Sequence, residues 1–419
     1  MNIFSTALML CAIVCVVPAQ ASDTALPRGE ALTLDQAIRA TLDHNPQLAG
    51  YGFRQQALRG ERQTAALKPG LRLATELENM AGSGEFRGVD AGEFTLSLSS
   101  AIESGERRDA RLGLVGARQQ QLESSQRLLT LDVLAALTRR FIALVAAQEQ
   151  LALQREAHQL AGETLAVLTE QVRSGRLPEA ELLRARAAEA RARLELRKAG
   201  QVLDSERIGV SAFWAETTPG FSRAQADLLA LAPALPLPEL LARLDKNPDV
   251  ALLADELRLR AAELRQAQSE GIPELEWQVG IRRFQATEDS ALVAGVSVPL
   301  GARQRASGTI ATASARKAEA EQRRDGARSQ LQAQLVSLYQ ARQQALAEVD
   351  GLRSEVLPPL RQAMTATADA FSQGRYSYLE LNLARRELLE AQQALIAAAA
   401  RAHVLTADLE RLTGAPVTP

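Results

Sequence analysis

Two pairs of segments alternate hydrophobic and polar residues with a period of two. In residues 71–80 and 94–103, leucine, phenylalanine and isoleucine alternate with charged residues, threonine and serine. A second pair with the same pattern begins near Leu275 and Leu292. This periodicity predicts four β-strands, each with one apolar and one polar face. The loop 81–92 between the first two strands is rich in glycine and charge.

Strands of about ten residues with one apolar face are typical of membrane barrels, whose strands meet lipid on one side and water on the other. A half-buried sheet of a soluble protein is the alternative. Four strands cannot close a barrel, so a membrane barrel would need two, three or four copies of the chain, giving about 8, 12 or 16 strands. The polar face would then line the lumen. The candidate lumen residues are Arg72, Glu76, Glu78, Glu103, Glu276 and Arg282.

Hydrophobic positions spaced alternately by three and four predict long helices in the rest of the chain. No proline occurs from about Arg107 to about Val172, and a helix of that length measures about 100 Å. Between Leu381 and Leu412, leucine alternates with alanine in one seam, which lets helix backbones approach closely. The first helix is predicted to begin near Leu34, with Thr33 or Asp35 as its cap. Asn45-Pro46 is predicted to interrupt it.

The chain contains an internal repeat. Three landmarks recur in the same order at offsets of 202, 196 and 199 residues. They are Asn45-Pro46, Gly105-Glu106-Arg107 and Gly175-Arg176, which return as Asn247-Pro248, Gly301-Ala302-Arg303 and Gly374-Arg375. We therefore predict a first repeat over 22–230 and a second over 231–419, each consisting of a helix, a strand pair and long helices.

Composition and net charge exclude several classes of protein. Hydrophobic residues make up 46% of the 419 residues, which excludes general disorder, and a net charge of −2 without a basic patch argues against nucleic-acid binding. Both cysteines, Cys11 and Cys15, lie in residues 1–21, which have the apolar stretch and A-x-A site of a signal peptide. The mature chain is predicted to start near Ser22 and to contain no cysteine, which excludes disulfides and thiolate chemistry. No apolar run long enough for a transmembrane helix follows.

No motif for catalysis, cofactor binding or metal binding is present, so we predict no enzyme, no cofactor and no metal centre. Two carboxylates are candidates for another role, because Glu181 and Glu380 follow the two Gly-Arg turns at equivalent positions. If the repeats stand side by side, both carboxylates lie at one end of the molecule. The alternative is that they are ordinary helix N-terminal carboxylates, stabilised by the helix dipole.

These features together resemble the TolC family of outer-membrane efflux factors, over essentially the whole mature chain. Within that family the chain is similar to the CzcC-type subgroup of heavy-metal cation efflux systems. The subgroup likeness is carried by residues 78–88 and 91–96 and by the turn at 102–108, where Glu106 stands in place of a usual second glycine. The resemblance implies a mainly α fold with a small β part. It also implies a trimer with a 12-stranded outer-membrane β-barrel continued by a long periplasmic α-helical barrel.

The resemblance also implies residues and partners. It places the Gly-Arg turns at the periplasmic tip and maps the acidic entrance onto Glu181 and Glu380. Arg375 and Tyr376 are the nearest counterparts of the residues that close the entrance, with Arg176 equivalent in the first repeat. The implied function is a passive exit duct, in contact with outer-membrane lipid and extending into the periplasm. A periplasmic adaptor and an inner-membrane RND-type pump are the implied partners.

Other functions remain open at this point. One is a TolC-like duct for organic compounds or type I secreted proteins. Another, of a different class, is a periplasmic adaptor or a structural coiled-coil protein.

Overall fold

The computed structural model describes residues 29, 31–233, 235–244 and 247–414. The predicted signal peptide and two residues beside the second Asn-Pro landmark, Asp245 and Lys246, lie outside the described residues. The helices are α1 (Leu34–His44), α2 (Pro46–Ala66), α3 (Gly105–Arg173), α4 (Glu179–Ser211), α5 (Leu237–Arg243), α6 (Pro248–Glu270), α7 (Ala302–Gly351), α8 (Leu357–Ser372) and α9 (Tyr378–Thr413). The strands are β1 (Ala31–Leu32), β2 (Arg72–Glu78), β3 (Glu93–Ile102), β4 (Arg223–Ala224), β5 (Leu275–Phe284) and β6 (Ser290–Ser297).

The fold is mainly helical with a small β part, and the predicted elements form in the predicted order. Helix α1 begins at a capping box in which Thr33 and Gln36 satisfy each other's backbone N–H groups. Thr33, rather than Asp35, is therefore the cap. Strands β2, β3, β5 and β6 lie within a few residues of the segments predicted from alternation.

The Asn-Pro landmark starts a helix in each repeat. The side chain of Asn45 accepts hydrogen bonds from the N–H groups of Gln47 and Leu48, and proline takes the first helical position, where no N–H is needed. The side-chain amide of Asn45 also donates a hydrogen bond to the carbonyl of Phe213 at 2.8 Å. This amide ties the start of α2 to the end of the helical hairpin that follows it.

Asn247 does the same in the second repeat. It caps α6, is fully buried, and donates to the carbonyl of Leu412 near the end of α9. Phe213 and Leu412 are themselves 199 residues apart, so cap and anchor recur together.

The Gly-Arg landmark ends a helix in each repeat. Gly175 and Gly374 have φ of +72° and +71°, a left-handed conformation that residues with a Cβ adopt at a cost. The N–H of Arg176 reaches the carbonyl of Gln171 at 2.9 Å, and that of Arg375 reaches Ala370 at 2.9 Å. Both turns are Schellman caps, in which the glycine is required by the backbone.

The long helix differs between the repeats. Helix α3 runs unbroken for 69 residues. Its counterpart consists of α7 and α8, separated by the π-helical turn Leu352–Val356, where the N–H of Leu357 donates to the carbonyl of Leu352. Pro358 and Pro359 follow directly and have no N–H to donate, so regular α-helical hydrogen bonding stops there.

Both repeats contribute to one antiparallel sheet with the strand order β2-β3-β5-β6. The central pairing joins the repeats, with Leu96 opposite Ile281 and Thr95 opposite Arg282. Strands β2 and β6 are its edges. Strands from both predicted repeats thus share one sheet.

Close to the sheet, the helices pack side by side in the same order as the strands to which they connect. Next to the sheet, α3 packs on both α2 and α6, and α6 packs on α7; farther away, α3 packs on both α4 and α9, and α9 packs on α8. A large hydrophobic cluster, including Leu137, Leu144, Trp214, Leu357 and Ala398, lies where the two halves meet. Gln148 of α3 exchanges two hydrogen bonds with the backbone of Ala224 on β4.

Within the described part of the chain, none of the helices has both the length and the apolar character that a membrane-crossing helix requires.

We predict that the cap and the anchor made by Asn45 contribute separately to stability. Asn45→Ser keeps a cap and loses the hydrogen bond to Phe213, so it should destabilise by about 1 kcal/mol. Asn45→Ala loses both and should cost about 2 kcal/mol. Chemical unfolding in detergent measures both, with Gln47→Ala on the exposed side of α2 as a control expected to be neutral. Equal effects of serine and alanine would contradict the separation.

Candidate functional site

One face of the four-stranded sheet is apolar and exposed to solvent. Leu292 on the edge strand β6 is 76% exposed, and its partner Ile281 on β5 is also exposed. The other large exposed hydrophobic residues of the strands on this face are Leu73, Leu77, Phe94, Leu96, Leu98, Ile102, Leu275, Val279 and Val296. Burying such a side chain is worth about 1.5–3 kcal/mol, and soluble monomers rarely expose so large a patch. The face therefore has the character of a surface that something apolar covers.

The opposite face is polar, and Arg282 organises its centre. Its guanidinium donates to Glu93 and Glu78 at 2.9 Å each and to the Thr95 hydroxyl at 2.9 Å. Three strands are thereby tied together by one side chain. Thr95 and Ser97 are buried beneath this layer, and Gly280 leaves room for the backbone of Leu96 and the side chain of Ser97.

Five of the six candidate lumen residues lie on this polar face. The register places them on the side of the sheet that also carries Thr95, Ser97 and Ser99: they are Arg72, Glu76, Glu78, Glu276 and Arg282. The sixth, Glu103, follows the last residue of β3. Its nearly buried carboxylate pairs with Arg111 on α3, so the structure assigns it to the junction of strand and helix.

The two Gly-Arg turns lie together at the end of the molecule far from the sheet. A hydrophobic cluster of Leu168, Ala185, Tyr378 and Leu381 packs α3, α4 and α9 just behind them. The side chains of Arg176, Arg375 and Tyr376 project into solvent at this end, which we call the tip.

Glu380 occupies the third position of α9 and completes a capping box. Its carboxylate accepts from the Ser377 N–H at 2.6 Å and from the Ser377 hydroxyl at 3.0 Å. Glu181 occupies the same position in α4, but the cap there is Pro178, which has neither an N–H nor a hydroxyl. Equivalent carboxylates thus have different hydrogen-bond partners, because serine in one repeat is proline in the other.

Glu181 instead contacts Arg184 at 3.2 Å through Oε1, while Oε2 is buried without a hydrogen-bond partner among the described residues. It lies near Tyr378 of the second repeat. Burial raises the pKa of the Tyr378 hydroxyl, the Arg385 cation opposes that shift, and Glu181 adds to it. The Glu181 carboxylate therefore belongs to the contact between the two hairpins, whereas Glu380 is exposed at the tip.

Arg385 also lies near the tip, although the sequence pattern did not identify it as a candidate. Its guanidinium donates to the Leu160 carbonyl and the Thr164 hydroxyl, which joins α9 to α3, and burial lowers its pKa. The internal repeat could have identified Arg385 as a candidate, because Arg186 and Arg385 lie 199 residues apart. Arg186 is exposed, so the same residue type performs an internal role in only one repeat.

Among the described residues, no group of three or more His, Cys, Asp and Glu side chains is arranged to hold a metal ion. His158 lies 3.7 Å from Glu189, and His403 contacts the Leu228 carbonyl at 3.0 Å.

Comparisons with known proteins agree with this architecture. The chain is 26% identical over 384 residues to the cobalt-zinc-cadmium resistance protein CzcC of Cupriavidus metallidurans, covering 91% of this chain and 90% of the relative. No family model matches the chain.

Solved structures share the fold at low identity. A membrane protein from Pseudomonas aeruginosa superposes with a TM-score of 0.76 at 16% identity, covering 93% of this chain and 92% of the other. CusC, whose structures concern transmembrane channel formation, superposes with a TM-score of 0.75 at 17% identity. The match covers 91% of this chain and 92% of the CusC chain. The outer-membrane protein VceC of Vibrio cholerae superposes with a TM-score of 0.72 at 18% identity. The match covers 92% of this chain and 96% of the VceC chain.

The resemblance drawn from the sequence is thereby confirmed: the chain has the fold of the TolC family of outer-membrane channels, and its sequence resembles the CzcC-type subgroup.

Proposed function

We propose that this protein is the outer-membrane channel component of a tripartite efflux system and acts as a passive exit duct. The observation that carries the proposal is the sheet, with an exposed apolar face, a polar face organised by Arg282, and edges at β2 and β6. In this proposal the apolar face meets lipid of the outer membrane, the polar face lines the lumen, and the helices extend through the periplasm. The protein carries out no covalent chemistry.

Closure of the sheet needs further copies of the chain. Lipid offers no hydrogen bonds to the backbone groups of an edge strand, so β2 and β6 must find partners. Pairing β6 of one copy with β2 of the next, three times over, gives a homotrimer with a 12-stranded barrel, the number implied by the family resemblance.

We propose divalent heavy-metal cations as the cargo, because the sequence relative CzcC is a cobalt-zinc-cadmium resistance protein. The chemistry of the chain is compatible with this cargo. Residues 22–419 contain no cysteine and few histidines, so the duct has few of the ligands that hold such ions tightly, and its polar side chains are mainly carboxylates and guanidiniums. A duct for organic compounds is the second candidate, because its fold would be the same.

The tip is the proposed periplasmic entrance, where the adaptor and the RND-type pump would deliver the cargo. Glu380 is exposed there and Glu181 lies behind it. Three copies would bring six carboxylates to this end and favour cations over anions. Arg176, Arg375 and Tyr376 project from the turns, and we propose that they contact one another between copies when the entrance is closed.

The lipid-facing role of the apolar face predicts a difference between two adjacent residues. Ala294 shares a face with Leu292 and Val296, whereas Gly295 lies opposite Gln278 on the polar face. Arginine on a lipid face costs about 2–4 kcal/mol near the membrane centre. Ala294→Arg should therefore reduce recovery in urea-washed outer membranes several-fold, and Gly295→Arg should not. Equal recovery of the two variants would contradict the assignment of faces.

The cargo predicts a growth phenotype. A deletion strain should become sensitive to zinc, cobalt and cadmium, and the wild-type gene should restore growth. A panel that includes copper, silver, nickel and organic toxicants measures the specificity. Sensitivity to organic toxicants alone would show that the cargo is wrong while leaving the duct intact.

The proposed entrance predicts charge selectivity. Glu181→Gln combined with Glu380→Gln removes both charges, and glutamine retains the ability to complete a capping box. In planar bilayers the cation-over-anion permeability ratio should fall several-fold. Glu216→Gln combined with Glu239→Gln removes two carboxylate charges away from the tip, the same number as the tip variant, and should leave the ratio unchanged. An unchanged ratio in the tip variant would contradict a selective role for these carboxylates.

A further inference from the structure

The apolar face of the sheet is arranged in rows that cross its four strands. The row farthest from the helices, which we call the outer row, consists of Leu77, Phe94, Arg283 and Ser290. The next row consists of Thr75, Leu96, Ile281 and Leu292, and the third of Leu73, Leu98, Val279 and Ala294. Among the described strand residues of this face, Arg283 is the only charged one.

Arg283 and its neighbour Arg282 lie on opposite faces and differ in their partners. On the polar face, Arg282 forms ion pairs with Glu78 and Glu93. Arg283 is exposed, and its one hydrogen bond to a described residue runs from Nη1 to the carbonyl of Glu288 at 3.0 Å. No described carboxylate forms an ion pair with it. The other N–H groups of the Arg283 guanidinium are therefore available to an anion from outside the chain.

Two acidic residues lie in the turn beyond the outer row, but neither neutralises Arg283. Glu288 has a left-handed backbone with φ of +57° and presents its carbonyl to the guanidinium. The carbonyl of Asp289 accepts the N–H of Phe284, which extends the ladder by one pair at a polar-face position. Ser290, in contrast, lies directly opposite Arg283, and cross-strand neighbours have their Cβ atoms about 5 Å apart. The guanidinium and the Ser290 hydroxyl are thus neighbouring hydrogen-bond donors.

The depth of the outer row follows from the length of β5. From Leu275 to Arg283 the strand rises about 27 Å, and at a barrel tilt of about 40° this spans about 21 Å of the membrane normal. The apolar band of an outer-membrane barrel is about 25 Å tall. At the inner end, the ion pairs Arg107–Glu274 and Arg111–Glu103 lie just beyond the last row. Arg283 therefore lies at the opposite boundary of the band, where the headgroups of the lipid begin.

We propose that Arg283, with the Ser290 hydroxyl beside it, binds a phosphate group of the glycolipid in the outer leaflet of the outer membrane. A guanidinium donates two parallel hydrogen bonds to a phosphate, which matches an exposed cation that lacks a carboxylate partner. Its aliphatic stem can lie along the apolar row while the charged head reaches the headgroups.

The orientation of the chain selects the leaflet. All helices that connect to the sheet leave it at the end opposite to the outer row, and in the proposed function they extend into the periplasm. The outer row then meets the outer leaflet, whose glycolipid carries phosphate groups on its sugar headgroup, the lipid A moiety. Inner-leaflet phospholipid meets the other end of the sheet.

The site rests on the proposed function, because a lipid phosphate meets Arg283 only if the apolar face lies in the outer membrane. It adds a specific lipid contact that holds the sheet at a defined depth. The same residue type is favourable in the outer row and unfavourable at Ala294, which lies two rows, or about 14 Å along the strand, closer to the membrane centre. No phosphate reaches that depth.

Retention of lipid in mild detergent tests the contact. Wild-type protein incubated with lipid A that carries two phosphates should retain it in native mass spectrometry. Arg283→Gln should lower the lipid retained per chain several-fold, and Arg283→Lys, which keeps the charge, should retain an intermediate amount. Arg353→Gln removes an exposed cation from the π-helical turn far from the sheet and should leave retention unchanged. Equal retention by wild type and Arg283→Gln would overturn the proposal.

A change of lipid provides a second test that needs no variant. The wild-type protein should retain lipid A without phosphates, and also phosphatidylglycerol, several-fold less than lipid A with two phosphates. Equal retention of the dephosphorylated lipid would show that the acyl chains alone are bound and would overturn the phosphate site. Retention of phosphatidylglycerol that is as strong and as dependent on Arg283 would overturn the assignment to the outer-leaflet glycolipid.

Recovery in urea-washed outer membranes and conductance in planar bilayers separate this site from the proposed function. Arg283→Gln should match wild type in both, because glutamine at an exposed position leaves the strand pairing intact. Conducting wild-type protein whose lipid retention does not depend on Arg283 would overturn the phosphate site and leave the duct. Wild-type protein that neither conducts nor fractionates with outer membranes would overturn both.

Discussion

The hydrogen-bonding requirement of the backbone at the two edges of the sheet governs the rest of this structure. A four-stranded antiparallel sheet has an edge strand on each side, and the apolar face makes this sheet suited to a medium that offers those edges no hydrogen bonds. In the proposed membrane setting, further copies of the chain would supply the strands that pair with these two edges. The helices next to the sheet pack in the same order as the strands. The helical layer therefore also has an unpaired helix at each edge, α2 on one side and α7 on the other.

The two repeats share their folding devices and differ in their surfaces. Both use an Asn-Pro cap tied to a distant carbonyl, and both end a long helix with a left-handed glycine. Both features depend on local backbone chemistry. The side chains that project from the shared frame have diverged, as shown by Phe53 against Asp255 and by Pro178 against Ser377. Each repeat packs on the other repeat along one side and has an exposed edge on its other side, at α2 and β2 in the first repeat and at α7 and β6 in the second.

Several functional assignments depended on contacts that no sequence pattern reports. Glu103 follows the alternation of β3 and was expected in the lumen, yet it pairs with Arg111, because the strand ends one residue earlier and the chain turns into α3. Glu181 and Glu380 occupy equivalent positions, as the repeat predicted, but one lies at a contact between hairpins and the other is exposed in a capping box. Arg385 lies 199 residues after Arg186, but only the packing of α9 on α3 brings its guanidinium to Thr164.

The sequence by itself determined the secondary structure, the internal repeat, the polar and apolar faces of the strands and the resemblance to the TolC family. These features arise from periodicity and from short-range chemistry, such as a cap, a left-handed turn or a proline, which act within a few residues. Only the tertiary structure decided which carboxylate is buried, which arginine joins the hairpins and which helix faces remain uncovered. Those properties depend on pairs of residues far apart in the chain, as with Asp255 and Ser124, and the distance between such residues is set by packing rather than by any local pattern.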